Sequence, residues 1–324
     1  MTAGSHAECS GSILVPRHDR VDPETRGAVR KPAVSFEFFP PTDPEMELTL
    51  WNTVERLAPL APRFVSVTYG ADGSTRDRTL DVVARLRAGT PLTVAPHMTS
   101  VAASRGDVLE LARTYWTNGI RHLVALRGDR PAARREPLVA LDSFPRGVDL
   151  VRGLRSVADF DISVAAYPET HPEARSARDD LDNLKVKIDA GATRAITQFF
   201  FDNGAYLRFR DTCAASGITV PIVPGILPIN RFSQIQRFAR RCGARIPGWI
   251  QDRFEGLDED AETRRLLGTA VALEQVEHLQ RHGVGEFHFY TLNRAEHTYA
   301  ICHALGIRPQ ATAVAGDRET PKAR

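Results

Sequence analysis

Short apolar runs rich in β-branched and aromatic residues recur along the chain: VSFEFF (34–39), FVSVTY (64–69), LTVAPHM (92–98), HLVALRG (122–128), DISVAAY (161–167), RAITQFF (194–200), PIVPGIL (221–227) and EFHFYTL (286–292). Each suits a pleated strand. Between them the period changes. Val108, Leu111, Ala112 and Tyr115 fall at the i, i+3, i+4, i+7 spacing of one buried helical face, and Leu181, Leu184 and Ile188 mark another. Gly119, Gly191, Gly217 and Gly283 each stand where such a helix stops and a strand follows, as expected of a residue that closes a last helical turn in the left-handed conformation. The repeated unit is strand then helix.

Eight such strands predict an α/β fold, specifically a closed (β/α)8 TIM barrel, whose interior eight strands just fill with side chains. The longest gap, between strands seven and eight, holds two further helix patterns, at 231–241 and 261–281, and the acids of DEDAE (258–262) suit the start of the second. Extra helices are therefore expected there. Residues 1–32 and 309–324 mix Gly, Pro, Ser and charges without periodicity, so they read as flexible ends flanking one catalytic barrel over 33–308.

Composition narrows the function classes. Of 324 residues, 42% are hydrophobic and 25% charged, and the net charge is +2, which gives neither a disorder signature nor the basic excess of a nucleic-acid binder. No apolar stretch reaches transmembrane length and no signal-peptide core precedes the first strand, so the reading is a cytoplasmic protein with no membrane partner. Cys9, Cys213, Cys242 and Cys302 lie far apart without a CxxC pair, which fits a reducing compartment and gives no zinc knuckle.

In a barrel, chemistry gathers where strands end. Glu37, Thr68, His97, Arg127, Asp129, Tyr167, Gln198 and Tyr290 stand at such ends, with Arg294 just beyond. Alternation puts Val34, Phe36 and Phe38 toward the helices and Ser35, Glu37 and Phe39 toward the barrel axis. A carboxyl in so apolar a mouth is expected to have a raised pKa and to stay protonated as a proton donor. On alternation alone, a Glu paired with an interior Arg or Lys is an equal reading. The fingerprints GxGxxG and GxxxxGK[ST] are absent, and GADGSTRDR (70–78) reads as a loop able to cradle a phosphate or as an ordinary turn. His97, His122, His171 and His288 raise a metal-dependent hydrolase as an alternative, but no HxH occurs, and the HxxxH pair His278 and His282 belongs at the opposite end of a barrel. No metal site is expected.

The words VSFEFFPP, VTYGADGSTRDRT, APHMTS, GIRHLVALRGD, YPETHPEA, DLDNLKVKIDAGATRAITQFFFD, VPGILPI and FHFYTLNRAEHTYAICHALG, spread over 33–308, resemble the methylenetetrahydrofolate reductases in their short bacterial form. The resemblance implies a flavoenzyme that reduces 5,10-methylenetetrahydrofolate to 5-methyltetrahydrofolate and so supplies methyl groups for methionine synthesis. It implies non-covalent FAD, NADH or NADPH as reductant, ping-pong exchange through one pocket, and a homo-oligomer. A non-catalytic folate-binding barrel is the other alternative. By the same likeness, Glu37 is the general acid, Asp129 stabilises the cationic iminium, and Gln198 bonds pterin and flavin. Gln234, Phe238, Tyr290 and Arg294 line the shared nicotinamide and folate site with those three. FAD is expected on Thr68, Tyr69, His97, Arg127, Gly128, Asp129, Tyr167, His171, Asp180, Asn183 and Lys187. Two departures fall on the cofactor side. Arg146 and Gly147 replace a tyrosine-alanine-serine run before DLV, and Val186 stands where a second basic residue is usual, so altered contacts with the adenine half of FAD are expected. The chain ends soon after the barrel, which predicts no control by S-adenosylmethionine.

Overall fold

The computed structural model describes residues 31–69, 76–100, 103–128 and 142–310. Most of both predicted flexible ends, and Asp129, lie outside these residues. Nine parallel strand segments form the barrel: β1 (Ala33–Phe38), β2 (Val65–Val67), β3 (Val94–Thr99), β4 (His122–Leu126), β5 (Asp161–Ala166), β6 (Arg194–Thr197), β7 (Ile222–Val223), β8 (Gly225–Ile226) and β9 (Glu286–Tyr290). Neighbours run in chain order from β1 to β7, and β9 pairs with both β1 and β8. The nine segments amount to the eight predicted strands. Pro224 has no N–H to give a ladder, so the seventh strand breaks there. Its first half pairs with β6 (Ala195 beside Ile222) and its second with β9 (Gly225 beside His288). The ring closes across this break.

Helices alternate with strands around the outside: α1 (Pro44–Leu57), α2 (Arg76–Gly89), α3 (Arg105–Thr117), α4 (Gly147–Val157), α5 (Ala177–Asp189) and α6 (Asn203–Ala215). The predicted insertion holds α7 (Phe232–Cys242), α8 (Gly248–Phe254) and α9 (Ala261–Arg281), and α10 (Glu296–Ala304) follows β9. The short α8 escaped the sequence reading. Local signals place the helix starts: Asp43 accepts from the Met46 N–H ahead of α1, Ser104 and Asp107 form a reciprocal cap on α3, and Asp260 of the acid run caps α9. Gly119, Gly191, Gly217 and Gly283 all have positive φ, as their positions after helices predict.

Strand alternation sorts the core. Val34, Phe36 and Phe38 face outward into the main apolar layer with Leu50, Val54 and Leu57 of α1, each large side chain contributing about 1.5–3 kcal/mol on burial. Inside the barrel a small cluster of Phe64, Ala95, Val124 and Ile196 is the apolar filling, and polar side chains occupy both ends. At the N-terminal end the buried Arg194 lies 3.3 Å from both Asp161 and Glu286, with its guanidinium over the Phe64 ring. His122 packs edge-on against Phe64, and its Nε2 is 2.8 Å from Ser163 Oγ. Burial pushes the His122 imidazole down to about 4, so it is a neutral, satisfied core histidine. Arg194→Ala leaves two carboxylates facing a lost cation. The expected loss is about 3 kcal/mol of unfolding free energy, seen as a lower urea midpoint with an unchanged slope.

Candidate functional site

At the other end of the barrel, β1, β3 and β9 bring three titratable side chains together. Glu37 is one-fifth exposed and its Oε2 lies 3.3 Å from His97 Nε2 and 3.6 Å from His288 Nε2. On the far side of the His288 ring, Nδ1 is 2.8 Å from Ser35 Oγ. Ser35 and Glu37 therefore both point inward, as alternation predicts. The hydroxyl serves either ring state. It donates to Nδ1 of a neutral imidazole, or accepts from Nδ1–H of a charged one and turns toward the Phe287 carbonyl at 3.4 Å.

The expected raised pKa of Glu37 is wrong for this arrangement. Burial does push its carboxyl up, but the His288 and His97 rings beside it outweigh that and hold it down to about 2. Sequence reasoning counted desolvation alone, because both histidines reach the acid from other strands. The pairing reading was nearer, with histidines where an Arg or Lys was considered.

Beside this cluster a cavity of about 610 Å³ opens at the strand ends, within the usual range for a small-molecule site. Tyr69, Arg127, Gly128 and Tyr167 line it from the barrel, and His171, Asp180, Asn183 and Lys187 from the β5–α5 loop and α5. These are eight of the expected FAD positions. Of the other three, His97 stands beside Glu37, Thr68 is held by its N–H on the Phe38 carbonyl, and Asp129 is outside the described residues. The wall is built from mutual contacts. Asp180 accepts from the His171 N–H at 2.8 Å, the His171 ring packs edge-on against Tyr167, and Lys187 Nζ donates to the Ala165 carbonyl at 2.8 Å. Burial lowers the Lys187 ammonium to about 8, with Asp180 opposing. Thr99, also lining the cavity, keeps a buried hydroxyl with no hydrogen-bond partner among the described residues, a polar group left for a ligand. Aromatic faces, cations and the Thr99 hydroxyl at this volume suit a planar ligand that carries phosphate.

The expected substrate residues come from three places. Tyr290 lies beside Glu37 in the β1–β9 register. Its hydroxyl donates to the Thr197 carbonyl at 2.7 Å, and burial, then the Glu37 charge, pushes the phenol well up. It is therefore a wall with a spent donor. Gly225 makes room for it: a Cβ there would stand 2.2 Å from the Thr197 oxygen and 2.5 Å from the Tyr290 ring. Gln198 Oε1 accepts from the Phe199 N–H, which leaves the donor end of the amide for a ligand. On α7, Gln234 is half-buried, and Phe238 packs in one cluster with Phe199 and Tyr290. Arg294 is exposed on the turn after β9.

That turn carries a residue sequence reasoning missed. Leu292 and Asn293 both have positive φ, at 50° and 54°, a costly conformation found at functional sites. Asn293 is clamped in it: its side chain accepts from the Phe39 N–H and donates to the Phe39 carbonyl, and Thr53 donates to its own carbonyl. Thr291 donates to the Glu37 carbonyl at 2.6 Å. Together these tie the ends of β1 and β9, and so Glu37 and His288. The available signal was an Asn just past a strand, the residue type that best tolerates left-handed backbone after Gly. Among the described residues, no group of three or more His, Cys, Asp or Glu is arranged to hold a metal ion, and no helix is long and apolar enough to cross a membrane.

A sequence model described as methylenetetrahydrofolate reductase matches residues 24–306. The 5,10-methylenetetrahydrofolate reductase of Salmonella typhimurium is 58% identical over 276 residues, and that of Escherichia coli 57%; each alignment covers 85% of this chain and 91% of the relative. Among solved structures, a Clostridium thermocellum protein described as binding two copies of 5-methyl-5,6,7,8-tetrahydrofolic acid superposes with a TM-score of 0.57 at 15% identity, covering 86% of this chain and 94% of its own. That likeness supports the barrel fold.

The Glu37 pairing has a measurable sign. A carboxyl lowered from its ordinary value of 4.5 to about 2 adds stability that is complete above 4.5 and drains away as pH falls toward 2. Against wild type, Glu37→Gln is expected to show a stability deficit in urea unfolding of at most about 3 kcal/mol near neutral pH, shrinking as the pH is lowered toward about 3. A deficit that does not change with pH would place the carboxyl out of reach of the histidines.

Proposed function

The chain belongs to the methylenetetrahydrofolate reductase family, and from that premise we propose that it reduces 5,10-methylenetetrahydrofolate to 5-methyltetrahydrofolate with NADH or NADPH, through non-covalent FAD, in two alternating half-reactions. The observation that carries the flavin is the cavity at the strand ends, lined by eight residues of suitable chemistry and sharing Tyr167 with the neighbourhood of Gln198. Bound FAD supplies the two-electron carrier between the reductant and the folate. The rest falls to side chains.

Opening the folate's five-membered ring breaks a carbon–nitrogen bond, and the departing nitrogen needs a proton. Glu37 is the group to deliver it, but it rests as a carboxylate between two imidazoles. As a ligand fills the mouth and excludes water, the carboxylate loses solvation, which favours its protonated form, and it takes up the proton the reaction consumes, while Nδ1 of the neighbouring His288 stays in contact with Ser35 Oγ. Glu37 passes it to the nitrogen. A cationic iminium then remains on the folate, and by family likeness Asp129 is the residue whose carboxylate stabilises it. Per turnover the balance is one proton, taken by the departing nitrogen, and one hydride from NAD(P)H, taken by the iminium carbon.

Gln198 offers amide N–H donors to pterin or flavin, and Phe238 on α7 presents an apolar ring to whichever planar ligand occupies the shared site. Gln234 and Arg294 complete its outer side. The chain is read as a cytoplasmic homo-oligomer.

The two half-reactions separate these roles. In stopped-flow measurements, Glu37→Gln is expected to keep flavin bleaching by NADH within a few-fold of wild type and to slow reoxidation by the folate by about 10²–10³-fold. Equal losses in both halves would reassign Glu37 to holding the fold or the flavin.

A further inference from the structure

Two walls of the site come from segments far apart in the chain. The β5–α5 loop turns Tyr167 and His171 toward the cavity, and α7 carries Gln234 and Phe238. The loop is fixed on its own side. The Thr170 N–H donates to the Tyr167 carbonyl in a tight turn, and the His171 N–H donates to Asp180. Thr170 has a φ of 71°, a costly conformation for a β-branched residue and one that persists only where the surroundings hold it.

The end of α7 meets this loop. The helix stops at Gly243, which has a φ of 77° and donates its N–H to the Ala239 carbonyl, and Pro172 packs flush against it: a Cβ on Gly243 would stand 2.9 Å from Pro172 Cγ. The loop, Gln198 and the helix end enclose about 10 Å³, room for about one water. Two residues further on, the Arg245 N–H donates to Glu169 Oε2 at 2.9 Å. Glu169 is partly buried, and burial pushes its carboxyl up against the pull of this N–H and of the Arg245 charge. A hydrogen bond to a carboxylate is about twice as strong as one between neutral groups.

We propose that Glu169 is a positioning residue: its bond to the Arg245 N–H latches the end of α7 to the β5–α5 loop and sets how close Gln234 and Phe238 stand to the cavity. The proposal rests on the functional reading above, and deepens it. Elsewhere α7 is seated by Ile235 and Ala239 in an apolar cluster. Apolar burial is non-directional, so it holds the helix down without fixing where along its seat it stops. A hydrogen bond is directional and fixes that point. Glu169 therefore acts through the helix, and with the latch open both ligands of the shared site lose the same wall.

The test uses the full chain with FAD added. Glu169→Ala is expected to raise KM for NADH and for the folate together, each about tenfold, with kcat within about threefold of wild type. Deuterium exchange over residues 240–250, followed by mass spectrometry, is expected to quicken in the same variant. Glu169→Gln, whose amide oxygen accepts from the same N–H, restores both readouts, and Arg245→Ala, which removes the guanidinium but keeps the N–H, matches wild type. Unchanged KM values in Glu169→Ala would leave the bond a stabiliser of its own turn. A rise for one ligand alone would make Glu169 a contact of that ligand, and Glu169→Gln behaving like Glu169→Ala would make charge, not the hydrogen bond, the working element. Each of these overturns the proposal, as does unchanged exchange in Glu169→Ala. A wild-type chain inert toward both ligands overturns the functional reading instead, and the exchange measurement still reports whether the latch exists.

Discussion

A carboxylate inside a barrel of strands must be compensated, and the pairing of Glu37 with His97 and His288 is the contact around which this molecule is arranged. An ionised group in an apolar mouth costs several kcal/mol unless donors face it. Here the donors come from β3 and β9, one strand adjacent to β1 and one two strands away, so the pairing exists only in a ring. Ser35 adds the second contact that orients His288. The same arrangement that makes the acid tolerable also makes it chemically useful, because a proton shared between carboxylate and imidazole can move to either as solvation changes.

The barrel keeps that geometry by tying its strand ends. Thr291 and Asn293 bond to the backbone of Glu37 and Phe39, and the strained backbone at Leu292 and Asn293 persists because those bonds over-determine it. At the seam, Pro224 breaks the ladder, and the bare Gly225 lets Tyr290 reach the Thr197 carbonyl across the gap. The opposite end is built for a different purpose. Arg194, Asp161, Glu286 and the neutral His122 close the N-terminal mouth around Phe64. One fold thus carries two polar clusters: one locked by permanent charges, the other by groups that titrate. Insertion helices complete the functional end. Gly268 allows α9 to approach the Ile229 carbonyl, where an added Cβ would lie 1.9 Å away, and the loop held in this way leads into α7 with Gln234 and Phe238.

Much of this was legible along the chain. Apolar runs with glycines after the helices marked the strands to within a few residues, because each signal is local. The period of two placed Ser35 and Glu37 inside before any contact was known. Strand ends were read less well: the runs at 194–200 and 286–292 end as strands at Thr197 and Tyr290, because the apolar pattern continues into the turns that follow. Eight of the eleven FAD positions suggested by likeness to a family do meet around one cavity, and His97 stands beside Glu37.

The sequence by itself determined that a parallel barrel forms, which faces its strands bury, and that an acid stands at the axis, because periodicity and helix-end chemistry are properties of neighbouring residues. Only the tertiary structure decided that this acid is ionised and that Tyr290 spends its hydroxyl on a backbone carbonyl. Charge state and hydrogen-bond commitment depend on which groups arrive from distant strands and helices, and closure of the ring is what brings them within about 4 Å, the range at which two buried charges interact strongly.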